Sequence, residues 1–387
     1  MAVSTPAFLR SRSAVVACVT LATFTDLVAY SVAVPVLPDL AAGFGAGPTT
    51  IGLLFASFGV TLLAVSLPMG ALSDRMGRKG PMLAALALLA ASTALFGYAR
   101  GLTTLFAARM LQGVADAVTW VVGLALVADL YGPDERGRAL GIVMSGTGLG
   151  VIIGPSLGGW LYEIGGIRLP FLVVSGLALA AFAAFAAVAP DSRGSGAGMP
   201  LRKVLAVRGV AVCAAAVVIG AATIAMLEPV LPLFFEARLG LRPGAVGTLF
   251  AVAALASSLV HPVYGRLSDR WGSRRLMLAG LVASGLTLPV LQASAGPLSA
   301  ALAMALAWAA LSLIVTPSLA YMAEAASAAG LGSHGVAYGV YNVAWAAGLM
   351  AGPSLGGFLF EQIGFGALVA GWAVALLASG AILGGLD

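Results

Sequence analysis

Four carboxylates and one guanidinium stand inside long apolar stretches of this 387-residue chain: Asp26, Asp116, Glu228 and Glu324, with Arg109. A charge near the centre of a bilayer costs several kcal/mol unless it faces water or a partner, so these side chains are expected to face a central cavity. Desolvation disfavours the charged form of a carboxylate, which lets a buried acid load and release a proton near neutrality. A cationic substrate competing for the same oxygens would displace that proton, the simplest device for coupling the two. Arg109 needs a partner of its own, and Asp116, two turns on, and polar groups of the first apolar run are the candidates. A purely structural ion pair is the rival reading. Tyr30, Phe234, Trp308, Tyr341 and Trp345 could receive an organic cation through their ring faces, although packing or an interfacial belt explains any one of them equally. His261 is either a proton relay or a helix-cap and packing residue. Cys18 and Cys213 both sit in apolar runs, so neither a disulfide frame nor a metal site is implied, and no cofactor is called for.

The elements that must position these groups follow from composition. The chain is 60% apolar and 9% charged, with a mean hydropathy of +1.04, whereas a soluble domain is about 25% charged. Its 51 glycines suit close helix approach in lipid, where no hydrophobic drive brings helices together. Runs long enough to span lie near 14–38, 50–71, 80–98, 103–129, 138–161 and 169–190, then near 209–235, 245–265, 275–294, 298–323, 335–360 and 364–385. The fold expected is an all-α membrane protein of twelve transmembrane helices: an N-terminal half over 1–190, a Gly- and Ser-containing linker over 191–208, and a C-terminal half over 209–387. The first run lacks a small-residue cleavage site and reads as a retained span. Fifteen of the twenty Lys and Arg fall at one set of span ends, four (Arg100, Arg168, Arg238, Arg242) at the other, and Arg109 inside a span. That bias places both termini and the linker in the cytoplasm. It also removes nucleic acid as a partner despite a pI near 9.5, because the basic residues are spread over several loops. The expected surroundings are the lipid bilayer, with a monomeric chain. Two Lys against eighteen Arg points to a GC-rich bacterial genome and hence a bacterial inner membrane.

The two halves repeat each other. Pro35–Pro38 and Pro229–Pro232 are both PVLP. GALSDRMGRK at Gly70–Lys79 returns as GRLSDRWGSR at Gly265–Arg274, offset by 195, and GPSLGGWLYEIGG at Gly154–Gly166 returns as GPSLGGFLFEQIG at Gly352–Gly364, offset by 198. Ordered repeats of six spans around a midplane cavity are a transporter plan. The loop Gly70-x-x-x-Asp74-Arg75-x-Gly77-Arg78-Lys79 resembles the signature loop of the major facilitator superfamily, and the resemblance runs over nearly the whole chain. It implies a gate latch in which Asp74 caps a helix or pairs with an Arg in one state only, with Asp269 in the second copy; a plain turn carrying topology charges is the rival. Arg109-x-x-Gln112-Gly113 looks like that superfamily's proton-coupling motif. Gly146-x-x-x-Gly150-x-x-x-Gly154-Pro155-x-x-Gly158-Gly159 looks like its antiporter motif, a flat small-residue face with a kink at Pro155.

Within the superfamily the chain is similar to the vesicular amine transporters and the multidrug-efflux drug/proton antiporters. Asp26 lies nine residues before Pro35, as it does there, and Ala225-Met226-Leu227-Glu228-Pro229 is a close match. Glu324 occupies the place of an acidic residue of that family. Asn342 stands where the amine transporters carry a further acid, and Phe58 near where they carry a lysine. The resemblance implies a proton-coupled antiporter exporting organic cations such as monoamines or cationic drugs. Substrate contacts are expected from Asp26, Tyr30, Glu228, Trp308, Tyr341, Asn342 and Trp345. Proton coupling is expected from Asp26, Arg109, Asp116, Glu228 and Glu324, and gating from Gly70, Asp74, Arg75, Gly77, Arg78, Asp269, Gly154 and Pro155. A facilitator of sugars or other metabolites is the alternative, against which the intramembrane acids speak. No enzyme is expected, since neither a Gly-x-Gly-Asp nor a His-Glu-x-x-His stretch occurs.

Overall fold

Long helices, with no strand among the described residues, make up the computed structural model, which describes residues 12–190, 207–328 and 334–385. In chain order they are α1 (Arg12–Val32), α2 (Leu37–Gly43), α3 (Pro48–Met76), α4 (Lys79–Gly97), α5 (Leu102–Leu130), α6 (Pro133–Gly165) and α7 (Arg168–Val188). The second half contributes α8 (Arg208–Leu239), α9 (Pro243–Trp271), α10 (Ser273–Thr287, extended by a 3-10 turn over Leu288–Ala293), α11 (Pro297–Ala328) and α12 (His334–Gly384). Inside α12, Gly364 takes φ 75° and ψ 171°, so this stretch holds two spans joined at a break that a side chain would resist. Leaving out the short α2, the count is twelve spans, six in each half. The expected linker lies outside the described residues from 191 to 206.

The first span ends sooner than its apolar run suggests. α1 stops at Val32, the chain turns over 33–36, and α2 resumes at Leu37. Pro35 and Pro38 lack backbone donors and disfavour helix in the residues before them. The same PVLP letters at Pro229–Pro232 lie inside a continuous α8, so the repeat is kept in sequence and not in backbone path.

Glycine spacing sets the helix pairings. On α6, Gly146, Gly150, Gly154 and Gly158 lie against Thr20, Phe24, Ser31 and Val32 of α1. On α12, Gly348, Gly352 and Gly356 lie against Ala221, Ala222 and Met226 of α8. A Cβ at Gly150 would stand 2.8 Å from the Phe24 carbonyl oxygen, so this approach is open to glycine alone. Gly154 therefore packs within its own half, while Pro155 beside it faces the other half.

Candidate functional site

The site grows from the pairing of α1 with α5, which run in opposite directions. Gln112 Nε2 donates to the Ala29 carbonyl at 2.8 Å. Three turns along, a Cβ at Gly123 would meet Val19 Cγ1 at 3.3 Å. Between these two anchors the register brings Asp116 level with Asp26. Both are buried, at 1% exposure for Asp26 and 7% for Asp116. Asp116 and the Trp120 side chain are the polar neighbours of Asp26, and Asp26 and Trp120 those of Asp116. Yet no donor meets hydrogen-bond geometry at either Asp26 oxygen.

Arg109, fully buried, is placed by each letter of its motif. Gly113 lets α5 close onto α3, since a Cβ there would strike the Phe58 carbonyl. The guanidinium then lies 4.6 Å from the Tyr30 ring centroid, 4.8 Å from that of Phe58 and 5.1 Å from that of Phe55. Gln112 takes a hydrogen bond from Arg109 Nη1 at 2.7 Å while holding α1 with its own amide. A cation over desolvated rings is stabilised by about 2 kcal/mol or more per good contact. Of the two candidate partners, Tyr30 of the first span lies against the guanidinium and Asp116 does not pair with it: among the described residues no carboxylate oxygen lies within 4.0 Å of Arg109, and its Nε and Nη2 are without hydrogen-bond partners. Asp116 turns to Asp26 because the α1–α5 register puts it there. Phe55 and Phe58 were not readable as a cation cage from sequence, because aromatics one turn apart look like ordinary core.

The two halves meet across this cluster. Tyr30, one turn after Asp26 on the same face of α1, donates from its hydroxyl to Glu228 Oε2 of α8 at 2.5 Å. Glu228 is 8% exposed. Trp345 and Tyr30 both pack against an apolar group that includes Phe58, Ala117, Ala225 and Leu349, and the Tyr341 ring lies parallel to that of Trp345 at 6.4 Å. Ser318 donates to the Tyr341 hydroxyl at 3.3 Å. Trp308 stands apart from the carboxylates, edge-on to Phe250 in the apolar core, and Asn342 is exposed. Phe234 stacks on Phe365 at 3.8 Å, a packing contact. His261 has both ring nitrogens engaged, with Ser257 at 3.3 Å and Thr316 at 2.6 Å.

Glu324 does not join the cavity acids as expected. It is exposed at the arginine-rich end and accepts from Ser273 Oγ at 2.8 Å, which in turn accepts from Ser268 at 2.9 Å. The first half holds the matching trio 195 residues earlier: Arg78 donates to Ser73 Oγ and pairs with Asp129 at 3.1 Å. Glu324 is thus the loop acid of the second half. Gly77 and Gly272 close α3 and α9 at φ 88° and 89° beside these trios, where only glycine is unstrained. Arg75 and Asp269 are exposed, and the surroundings of Gly70 and the side chain of Asp74 lie outside what is described.

At the arginine-poor end the halves are sealed. Glu163 of α6 accepts from the Gly244 N–H at the start of α9, and Glu361 of α12 accepts from the Thr49 N–H at the start of α3, both at 2.8 Å. Each half so caps a helix N-terminus of the other, satisfying orphan donors with a carboxylate. Trp160 donates to Thr248 at 3.1 Å. Gly159 lies on Pro243, Gly247 on Pro155, Gly52 on Pro353 and Gly357 on Pro48. Towards the arginine-rich end, Gly141, Gly148, Gly265 and Gly339 have open space where a Cβ would stand. Among the described residues, the close backbone approaches between halves run from mid-membrane at Gly59 to the arginine-poor end. The carboxylate cluster is therefore shut off on that side.

Residues 19–223 and 213–386 match the profile of the Major Facilitator Superfamily. The chain is 30% identical over 322 residues to the synaptic vesicular amine transporter of Mus musculus, covering 81% of this chain and 62% of that protein. It is likewise 30% identical over 340 residues to the vesicular acetylcholine transporter of Homo sapiens, covering 84% and 63%. It thus spans about three fifths of the length of these curated relatives. Among solved structures, a bacterial homolog of the human lysosomal transporter Spinster in an inward-facing and occupied conformation superposes with a TM-score of 0.75 at 17% identity, over 96% of this chain and 92% of that one. The human organic anion transporter MFSD10 gives 0.71 at 19% identity, over 96% and 99%. These two likenesses show the fold. With the family profile matched across both six-helix halves, the chain belongs to the major facilitator superfamily.

Proposed function

We propose that this chain is a proton-coupled antiporter that exports organic cations, amines or cationic drugs, by alternating access. One observation carries the reading: three buried carboxyl groups, Asp26, Asp116 and Glu228, share the interior with one buried, ring-enclosed guanidinium, Arg109, and Tyr30 links the two halves there. Buried acids in such excess over cations must be neutralised by protons or by substrate. An uncoupled carrier of neutral solutes needs none of them, because each is costly in the membrane. The similarity to amine transporters supports the same substrate class. The bias of basic residues supports cytoplasmic termini, which makes the open side cytoplasmic and the transport outward in a bacterial inner membrane.

Glu228 is the residue to test. It comes from the second half, its hydroxyl donor from the first, so its surroundings change when the halves rock. In proteoliposomes with an imposed pH gradient, Glu228→Gln is expected to lose uphill accumulation of a cationic substrate while keeping counterflow without a gradient. Accumulation at the wild-type level in Glu228→Gln would move coupling away from this residue, and no cation transport by the wild type would sink the substrate class.

A further inference from the structure

Among the described residues, the buried charged side chains are Asp26, Arg78, Arg109, Asp116 and Glu228. Arg78 belongs to the loop trio with Asp129, which leaves one guanidinium against three carboxyl groups in the interior. Arg109 engages Tyr30, and Tyr30 engages Glu228, so these three form one connected unit in which one positive and one negative charge offset each other. Asp26 and Asp116 stand outside it. They face each other at the same level of the α1–α5 contact, and both oxygens of Asp26 are buried without a partner. The groups facing the pair are Arg109 and Trp120 of α5 and Tyr30 of α1, with Glu228 of α8 beyond Tyr30. Of these, Trp120 is the one that stands a turn nearer the open end of the molecule than Asp116, and it is partly exposed, as Tyr30 is. Its indole offers one neutral donor and no charge.

We propose that Asp26, Asp116 and Trp120 form a single cation seat that accepts two positive charges, and that Asp116 is the residue that lets the protein take organic dications. The inference rests on the antiport reading above. In the proposed empty seat each carboxyl carries a proton: repulsion between two carboxylates in contact keeps one of them protonated, and the cost of burying the remaining charge in a dry interior favours a proton on the other. An organic monocation displaces one proton and leaves the other on the pair. An organic dication displaces both, and the charge of the seat is the same in every case. Trp120 stands where a ligand entering from the open side must pass, and its N–H holds whichever carboxylate is ionised.

Proton release by the purified full-length chain in weak buffer tests this, with two permanently charged probes so that the ligand contributes no proton. Tetraphenylphosphonium is the monocation and dequalinium the dication. The wild type is expected to release about one proton per tetraphenylphosphonium and about two per dequalinium, as the seat's two carboxyl groups require. In Asp116→Asn both probes should release about one, and dequalinium affinity should fall at least about tenfold further than tetraphenylphosphonium affinity does. Asp116→Glu should restore the difference, and Asp116→Ser serves where the asparagine variant does not fold. A single gel-filtration peak and a wild-type helical circular-dichroism spectrum are the control for folding. If dequalinium binding and its proton yield are unchanged in a folded Asp116 variant, the two-charge seat is overturned while the antiport reading stands. If the wild type binds neither probe, the cation-exchange reading itself fails.

Discussion

Replacing Gly159 by alanine should pry the sealed end open, and the geometry gives the size of the wedge. A Cβ at Gly159 would stand 2.6 Å from the Pro243 carbonyl carbon and 2.7 Å from Gly244 Cα. Both are backbone atoms, so no rotamer change relieves the clash. Ordinary contact begins at 3.4 Å, so α6 and α9 must separate by roughly 1 Å at this level, which is overpacking of the kind that costs about 1–3 kcal/mol. The same movement lengthens the Glu163–Gly244 hydrogen bond beyond useful range. The state sealed at the arginine-poor end alone contains these contacts, so the whole cost falls on that state. An equilibrium between sealed and open forms then shifts by about 5- to 150-fold. Spin labels at Ala42 and Ala237, exposed positions on opposite halves, read the shift as a longer distance population, after Cys18 and Cys213 are replaced by alanine. An unchanged distance distribution in a folded Gly159→Ala protein would refute the reasoning, and so would a lowered melting temperature with no change in distance.

Two further outcomes follow from named contacts. Tyr30→Phe keeps the ring over Arg109 and removes the hydroxyl donor of Glu228; losing a hydrogen bond to a charged group costs about 1.5–3 kcal/mol, so initial rates of gradient-driven uptake should fall roughly tenfold or more, and a rate within about twofold of wild type would remove the bond from the transport cycle. Removing both reciprocal caps, in Glu163→Ala with Glu361→Ala, should lengthen the Ala42–Ala237 distance more than either change alone, and a double variant no more open than the singles would mean that the two caps do not share the task of sealing.

Much of this architecture was legible in the sequence because a membrane leaves few alternatives. Twelve apolar runs and repeats at offsets of 195 and 198 specify two six-helix halves without any knowledge of packing. Asp26, Asp116, Glu228 and Arg109 were identifiable because a charge in an apolar helix stands out by its cost. What a charge touches is another matter. Arg109 was expected to find its partner in Asp116 or in polar groups of the first span; Tyr30 of that span does meet it, but with Phe55 and Phe58 as two further rings, and no feature of Phe55 or Phe58 separates a cage from a core. Asp116 meets Asp26 and not Arg109 because Gln112 and Gly123 fix the helix register, a long-range fact. Glu324 misled because the end of an apolar run resembles its interior. The first span was drawn too long for a local reason, since the effect of Pro35 depends on whether neighbouring helices hold the turn.

The two offsets mark two different jobs, and together they identify what moves. At 195 stand the trios Ser73–Arg78–Asp129 and Ser268–Ser273–Glu324, each joining helices of one half at the arginine-rich end. At 198 stand Glu163 and Glu361, each reaching across to the other half at the arginine-poor end. Contacts of the first kind survive any motion that keeps a half intact; contacts of the second kind must break for the halves to part. The glycine faces of α6 on α1 and of α12 on α8 add to the first kind, since close-packed interfaces slide little. The half is therefore the rigid unit, and the seal is the part with two states. Tyr30 and Glu228 lie on the boundary between those units, one on each half. In the alternating-access cycle proposed above, a carboxylate held there by a hydroxyl of the opposite half would lose that donor when the halves part, and that loss would tie its protonation to the direction in which the cavity opens.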